Sequence, residues 1–171
     1  MSMSNASIPV FEVGLNALAA LLDKAEAYAG AKRIDPAVLL NTRLFPDMFA
    51  FVRQVQAACD QAKNAGARLA GIEPPKYEDS EKTIGELKAR IAKTIAFVRS
   101  LDAGKIDASA GREITLPLGP QTGHMKGADY LNYFVLPNFH FHLAMAYGIL
   151  RHCGLEIGKR DFMGTMPIRI T

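Results

Sequence analysis

Residues 137–142 read Pro-Asn-Phe-His-Phe-His, and the fold turns on whether they lie on a strand or on a helix. On a strand, residues two apart share a face, so His140 and His142 would converge on one site. On a helix, two positions span about 200°, and the same residues face nearly opposite sides. The flanking residues decide it. Tyr130, Phe134, His142, Met145, Ile149 and Cys153 recur at helical spacing over a length that no ordinary strand reaches. A helix over about Ala128–Cys153 follows, with Gly154 as its C-terminal stop. The chelating pair suggested by the motif dissolves. The pair that shares a face is Asn138 and His142, one turn apart and set among Leu131, Val135, Met145, Ala146 and Ile149. An amide and an imidazole inside an apolar stripe are buried, and buried polar groups need partners. Pro137 has no N–H for the carbonyl of Tyr133, which predicts a kink and a free acceptor one turn before the pair.

Three further long helices precede this one. The first covers about Ile8–Tyr28, with Ser7 as N-cap, a stripe of Phe11, Leu15, Leu18, Leu22 and Ala25, and Gly30 as its end. Asp35-Pro36 starts a turn followed by one or two helical turns. Pro46 suits the first position of the second long helix, with Asp47 favouring its dipole. Met48, Val52, Val55, Cys59 and Ala62 then keep helical spacing to about Leu69. The run Gly71-Ile72-Glu73-Pro74-Pro75 forms a loop. Ser80 caps the third long helix, whose buried face is Ile84, Leu87, Ile91, Ile95 and Val98. Between Gly104 and Gly127 the period changes. Glu113–Pro117 alternates, and a Gly119-Pro120 turn separates it from a second short run, which predicts a small β-hairpin with Pro117 at an edge. The tail from Leu155 is a strap over the bundle. The expected fold is all-α, a single domain over residues 1–171, with a small hairpin before the last long helix.

Bulk composition excludes several function classes. The 171 residues are 49% hydrophobic and 22% charged, as in ordinary globular domains. Two cysteines with no Cys-x-x-Cys pair argue against a disulfide framework, a zinc ribbon or a thioredoxin motif, and suit reduced thiols in a cytoplasmic protein. A net charge of +3, interleaved with acids, offers no basic face for nucleic acid. The N-terminal segment reads as an amphipathic helix rather than a signal peptide, and no uncharged apolar run is long enough for a membrane.

The remaining motifs carry little chemistry. Gly158-Lys159 lacks the first glycine of a phosphate loop, and Arg160 stands where Ser or Thr would bind magnesium, so a strap with a Lys159–Asp161 contact is expected. His124 belongs to the exposed hairpin. His152 is a cation suited to a helix C-terminus, where the Cys153 thiolate would be disfavoured. Along the second long helix Arg43, Asp47, Arg53, Gln54, Gln56, Asp60, Lys63 and Arg68 form a polar side expected to be solvated, with Gln54 as the residue able to turn inward.

Two stretches carry a family resemblance: NFHFHLAMAYGILRHCGLEIGKRDFMG at 138–164 and RLFPDMFAFVRQVQAACDQAKNAGARLAG at 43–71. They resemble an uncharacterised bacterial family of unknown function within the DinB/YfiT-like metalloenzyme superfamily, over nearly the whole chain. The resemblance implies an up-down-down-up four-helix bundle, often a homodimer, in which many members hold nickel or zinc on three histidines and some transfer small thiols. His142, with Arg151 and Gly154, matches the last histidine and the Leu-Arg-x-x-Gly ending of that pattern. Asn138 stands where the pattern often has a second histidine. Gln54 is the nearest counterpart of the first, since the second long helix has no histidine. One imidazole and two neutral amides are a poor donor set for a transition metal.

The expectation is therefore a bundle with a degenerate metal site and no resident metal. A small polar or thiol ligand would be held by His142, Asn138 and Gln54, with Tyr147 and Arg43 at the rim. Two alternatives stand beside it. One is a metal- or His-dependent transferase with nickel or zinc weakly held at His142; the other is a structural dimer without chemistry.

Overall fold

The computed structural model describes residues 2–166, 168 and 169. The chain is mostly helical, with one two-stranded antiparallel hairpin. Its first helix, α1, runs Met3–Lys32, five residues earlier than its apolar stripe suggests. The early start has a local cause. Ser2 accepts from the Asn5 N–H, and the Ser4 N–H donates to Asp107 at 2.7 Å, so the first-turn donors are satisfied ahead of Pro9. Ser7 lies inside the helix, its hydroxyl donating to the Met3 carbonyl at 2.7 Å. Gly30 is also internal, and Arg33 ends the helix at φ 54°. By length and composition α1 alone among the described helices is apolar enough to cross a membrane, although Glu12 and Asp23 break its uncharged run into short pieces. Its stripe of Phe11, Leu15, Leu18 and Leu22 is instead fully buried in the core.

After α2 (Pro36–Asn41, capped by Asp35) the chain turns at Pro46-Asp47. The next long helix, α3, begins only at Phe51 and ends at Ala70, where Gly71 at φ 74° takes the left-handed C-cap. Pro46 does not open it; the Phe51 N–H instead donates to the Thr42 carbonyl at 2.9 Å. The third long helix, α4 (Ile84–Arg99), is capped not by Ser80 but by Thr83, in a reciprocal capping box with Glu86. A short α5 (Ala103–Asp107), capped by Asp102, was not expected from periodicity; it buries Ile106.

The hairpin pairs β1 (Glu113–Leu118) with β2 (Gln121–Lys126), in register from Glu113–Lys126 to Leu118–Gln121. From Gly127 to His152 the chain is one composite helix: α6 (Gly127–Asp129), a π-helical segment (Tyr130–Val135) and α7 (Leu136–His152). The π segment stands where a kink was expected. Within it the Leu136 N–H donates five residues back, to the Leu131 carbonyl, and the wider turn makes room for Pro137. Gly154 at φ 94° ends the helix as expected.

The four long helices pack in a ring: α3 against α7 and α4, and α1 against α4 and α7. The tail carries α8 (Lys159–Met163) across α1. Asp161 pairs with Lys24 at 2.6 Å rather than with Lys159, and accepts from the Gly158 N–H at 2.8 Å.

Candidate functional site

Packing of α7 on α3 sets His142 against Gln54, with His142 9% exposed as a residue. His142 Nδ1 lies 2.8 Å from Gln54 Oε1. The amide's other end settles the direction. Gln54 Nε2 donates to the Phe49 carbonyl at 3.3 Å, so Oε1 is the acceptor and the imidazole proton sits on Nδ1. Nε2 is then the lone-pair nitrogen. It has no hydrogen-bond partner among the described residues. Phe49 lies parallel to the imidazole with centroids 6.3 Å apart, and Phe141 meets it edge-on at 5.3 Å. The Arg53 guanidinium sits over the Phe49 ring at 5.5 Å.

Burial, and secondarily the charge of Arg53, hold the His142 pKa below its ordinary 6.5. The unfolded chain therefore binds this proton more readily than the folded one. Stability from this group is complete above pH 6.5 and declines as the pH falls from there toward the lower folded value. Urea unfolding between pH 5 and 7.5 should show that decline, and His142→Gln should flatten it. An unchanged slope in the variant would mean that other groups cause it.

The other sequence candidates part company. Asn138 shares the His142 face but does not bond to it; its side-chain amide donates to the Phe134 carbonyl at 2.6 Å, one turn back beside the π segment. Tyr147, five positions on and so about 140° round the helix, turns to the tail. Its hydroxyl faces the Ile157 carbonyl at 3.5 Å and its ring meets Phe162 at 5.9 Å. Arg43 is exposed, and among the described residues it reaches only the Pro46 carbonyl, at 3.4 Å. Neither forms a rim at His142. Sequence reasoning missed Phe49 and Phe141, the exposed aromatics that flank the ring, although Phe141 sits inside the quoted motif.

The donor set does not fit a transition metal. Gln54 spends its oxygen on the nitrogen of His142 that faces away from Nε2, and Asn138 is committed to backbone. Among the described residues no three His, Cys, Asp or Glu side chains converge. Cys59 adds no nucleophile, since burial pushes its thiol up to about 12.

The polar side of α3, expected to be solvated, is largely covered. The extended segment 71–83 lies over it, burying Gln56 and Lys63. Lys63 donates to the Pro75 carbonyl at 2.6 Å and Gln56 to Glu81 at 2.9 Å. Arg90 of α4 binds Asp60, Asp79 and Glu81 at 2.9–3.0 Å. Tyr77 packs against Lys63, Arg90 and Lys93. A cleft of about 480 Å³ beside Tyr77 and an apolar groove of about 370 Å³ between α1, α7 and the tail are prominent on the described surface. Neither is lined by His142, over which Phe49 lies.

A family model described as a domain of unknown function, DUF1993, matches residues 3–163. A crystal structure of a DinB family member protein from Shewanella denitrificans, at 1.83 Å resolution, is 39% identical, with a TM-score of 0.92. The match covers 98% of this chain and 95% of that one. No curated protein matches.

Proposed function

Because the chain belongs to the DUF1993 family of DinB-like domains, we propose that it binds a small polar molecule at His142. The observation that carries this reading is an imidazole fixed through Nδ1 by Gln54, whose Nε2 has no partner among the described residues. A histidine placed only for packing has no need of a fixed tautomer. A neutral Nε2 accepts from an O–H, N–H or S–H, and the Arg53 charge nearby favours an anionic group on the same molecule. Phe49, half exposed and lying along the ring, is the side chain that must swing aside for entry. On this reading Asn138 shapes the backbone, while Tyr147 and Arg43 take no part. The site takes no resident nickel or zinc, and the ring of long helices follows the DinB-like up-down-down-up order.

The absence of His142 from the prominent cavities favours a second reading, in which the His142–Gln54 bond only joins α7 to α3. A thermal-shift panel separates the two. Cysteine, glutathione, glycerol, acetate and lactate would be tested against wild type and His142→Asn, with zinc and nickel as separate arms. One organic class at a hundred times its Kd should stabilise wild type by about 2.7 kcal/mol and leave the variant unmoved. Silence from every organic compound, or equal shifts in the two proteins, returns the residue to packing. A shift by metal alone overturns the metal-free reading.

A further inference from the structure

His140, the other histidine of the motif, points away from His142 and lines the apolar groove between α1, α7 and the tail. The groove has a volume of about 370 Å³, within the size range of clefts that take small molecules. Its walls include Val10 and Val13 of α1, Leu143 of α7, and Phe162 and Met163 of α8, and among the described residues no Asp, Glu, Lys or Arg lines it. Among the described residues His140 is its one hydrogen-bonding side chain. Its Nδ1 lies 2.8 Å from the Leu136 carbonyl, which can only accept, so Nδ1 carries the proton. Nε2 is left as an acceptor with no partner among the described residues.

From this we infer a second binding site, distinct from His142, for a small uncharged apolar molecule carrying one hydroxyl. The body fills the groove and the hydroxyl donates to His140 Nε2. The uncharged lining of described residues favours a neutral ligand, because an ion placed there would lose hydration without a counter-charge. Chemistry selects a donor rather than an acceptor head, since with the proton on Nδ1 the Nε2 atom offers a lone pair. Phe162 and the thioether of Met163 favour a flat aromatic body, methionine being adaptable and drawn to ring edges. The inference does not rest on the reading of His142 and would survive its failure.

The test uses the full chain with ¹³C-methyl-labelled methionine and two probes, 2-naphthol and 2-methoxynaphthalene. The second differs by lacking the donor. Titration with 2-naphthol should shift the Met163 and Met166 methyl signals saturably and leave Met48 unmoved. The methoxy compound should bind several-fold to about tenfold more weakly, the range that one neutral hydrogen bond supplies. His140→Leu should erase the difference between the probes. Val13→Phe, which fills the groove, should weaken both, with undisturbed Met48 and Met145 signals confirming that it folds. Equal affinity of the two probes for wild type overturns the role of His140. The absence of saturable shifts at Met163 and Met166, or unchanged binding in Val13→Phe, overturns the site.

Discussion

Arg90→Ala should lower stability by about 3 kcal/mol, the lower end for breaking a buried ion pair by removing one partner. In a chain of this size that is a fall in Tm of roughly 6–12 °C. The Arg90 side chain is 2% exposed and serves Asp60, Asp79 and Glu81 together, besides donating to the Glu78 carbonyl at 2.9 Å. Truncation removes the cation shared by three carboxylates, leaving Glu81 without one among the described residues while Asp60 keeps Lys63 at 3.5 Å and Asp79 keeps Arg53 at 2.6 Å. They are partly open to water and can rehydrate, which keeps the cost from the top of the range. Arg99 gives the comparison. It pairs with Glu12 at 2.7 Å, but its side chain is 59% exposed, so Arg99→Ala should cost far less than Arg90→Ala. The larger loss should be local in character. Residues 71–83 are tied down by Arg90, Lys63 and Gln56, and their amides should exchange faster in Arg90→Ala. Equal Tm values for the two variants would show that the cluster contributes no more than a surface pair.

The four long helices were legible because each carries an apolar stripe over four or more turns, a signal that tertiary contacts reinforce. The hairpin was legible for a different reason: alternation in 113–117 followed by a glycine-proline turn. Boundaries went wrong where a long-range partner replaced the local cap. Asp107 supports the start of α1 from over a hundred residues away, and the Thr42 carbonyl starts α3 without a side-chain cap. The Thr83–Glu86 capping box was local and could have been found in the sequence. At the candidate site, the inward turn of Gln54 was open from sequence, because helical spacing fixes which residues share a face on one helix. The register between α3 and α7 is set by packing, and it alone determines that Gln54 meets His142 rather than Asn138. Arg90 drew no notice because a charged residue on the edge of a helix ordinarily faces water. Only the fold of 71–83 back over α3 buries it.

Gly127→Ala should be nearly as costly as Arg90→Ala, at roughly 3 kcal/mol, the upper part of the range for overpacking. A Cβ at Gly127 would stand 2.0 Å from the Ser109 carbonyl oxygen and 2.8 Å from its carbon. Most overpacked sites relax by turning a side chain, but here the obstacle is backbone. That backbone is held from both sides: the Ser109 N–H and hydroxyl donate to the Ile106 carbonyl at 3.0 and 2.6 Å, and the Arg112 N–H donates to the Ser109 carbonyl at 3.0 Å. Gly127 itself donates to the Arg112 carbonyl at 2.9 Å, so it cannot retreat without opening the junction between hairpin and helix. Gly148 separates this steric cost from any general effect of replacing a helical glycine. Nothing lies within 4 Å of a Cβ there, so Gly148→Ala should stabilise the protein by about 0.5–1 kcal/mol. The junction also fixes where the composite helix starts, and through it the position of His142 opposite Gln54. A Gly127→Ala protein that folds by shifting this helix should lose the Nδ1-protonated tautomer of His142, read from its ¹⁵N imidazole shifts. If Gly127→Ala has wild-type stability and keeps that tautomer, the close approach at Ser109 is not what places the helix.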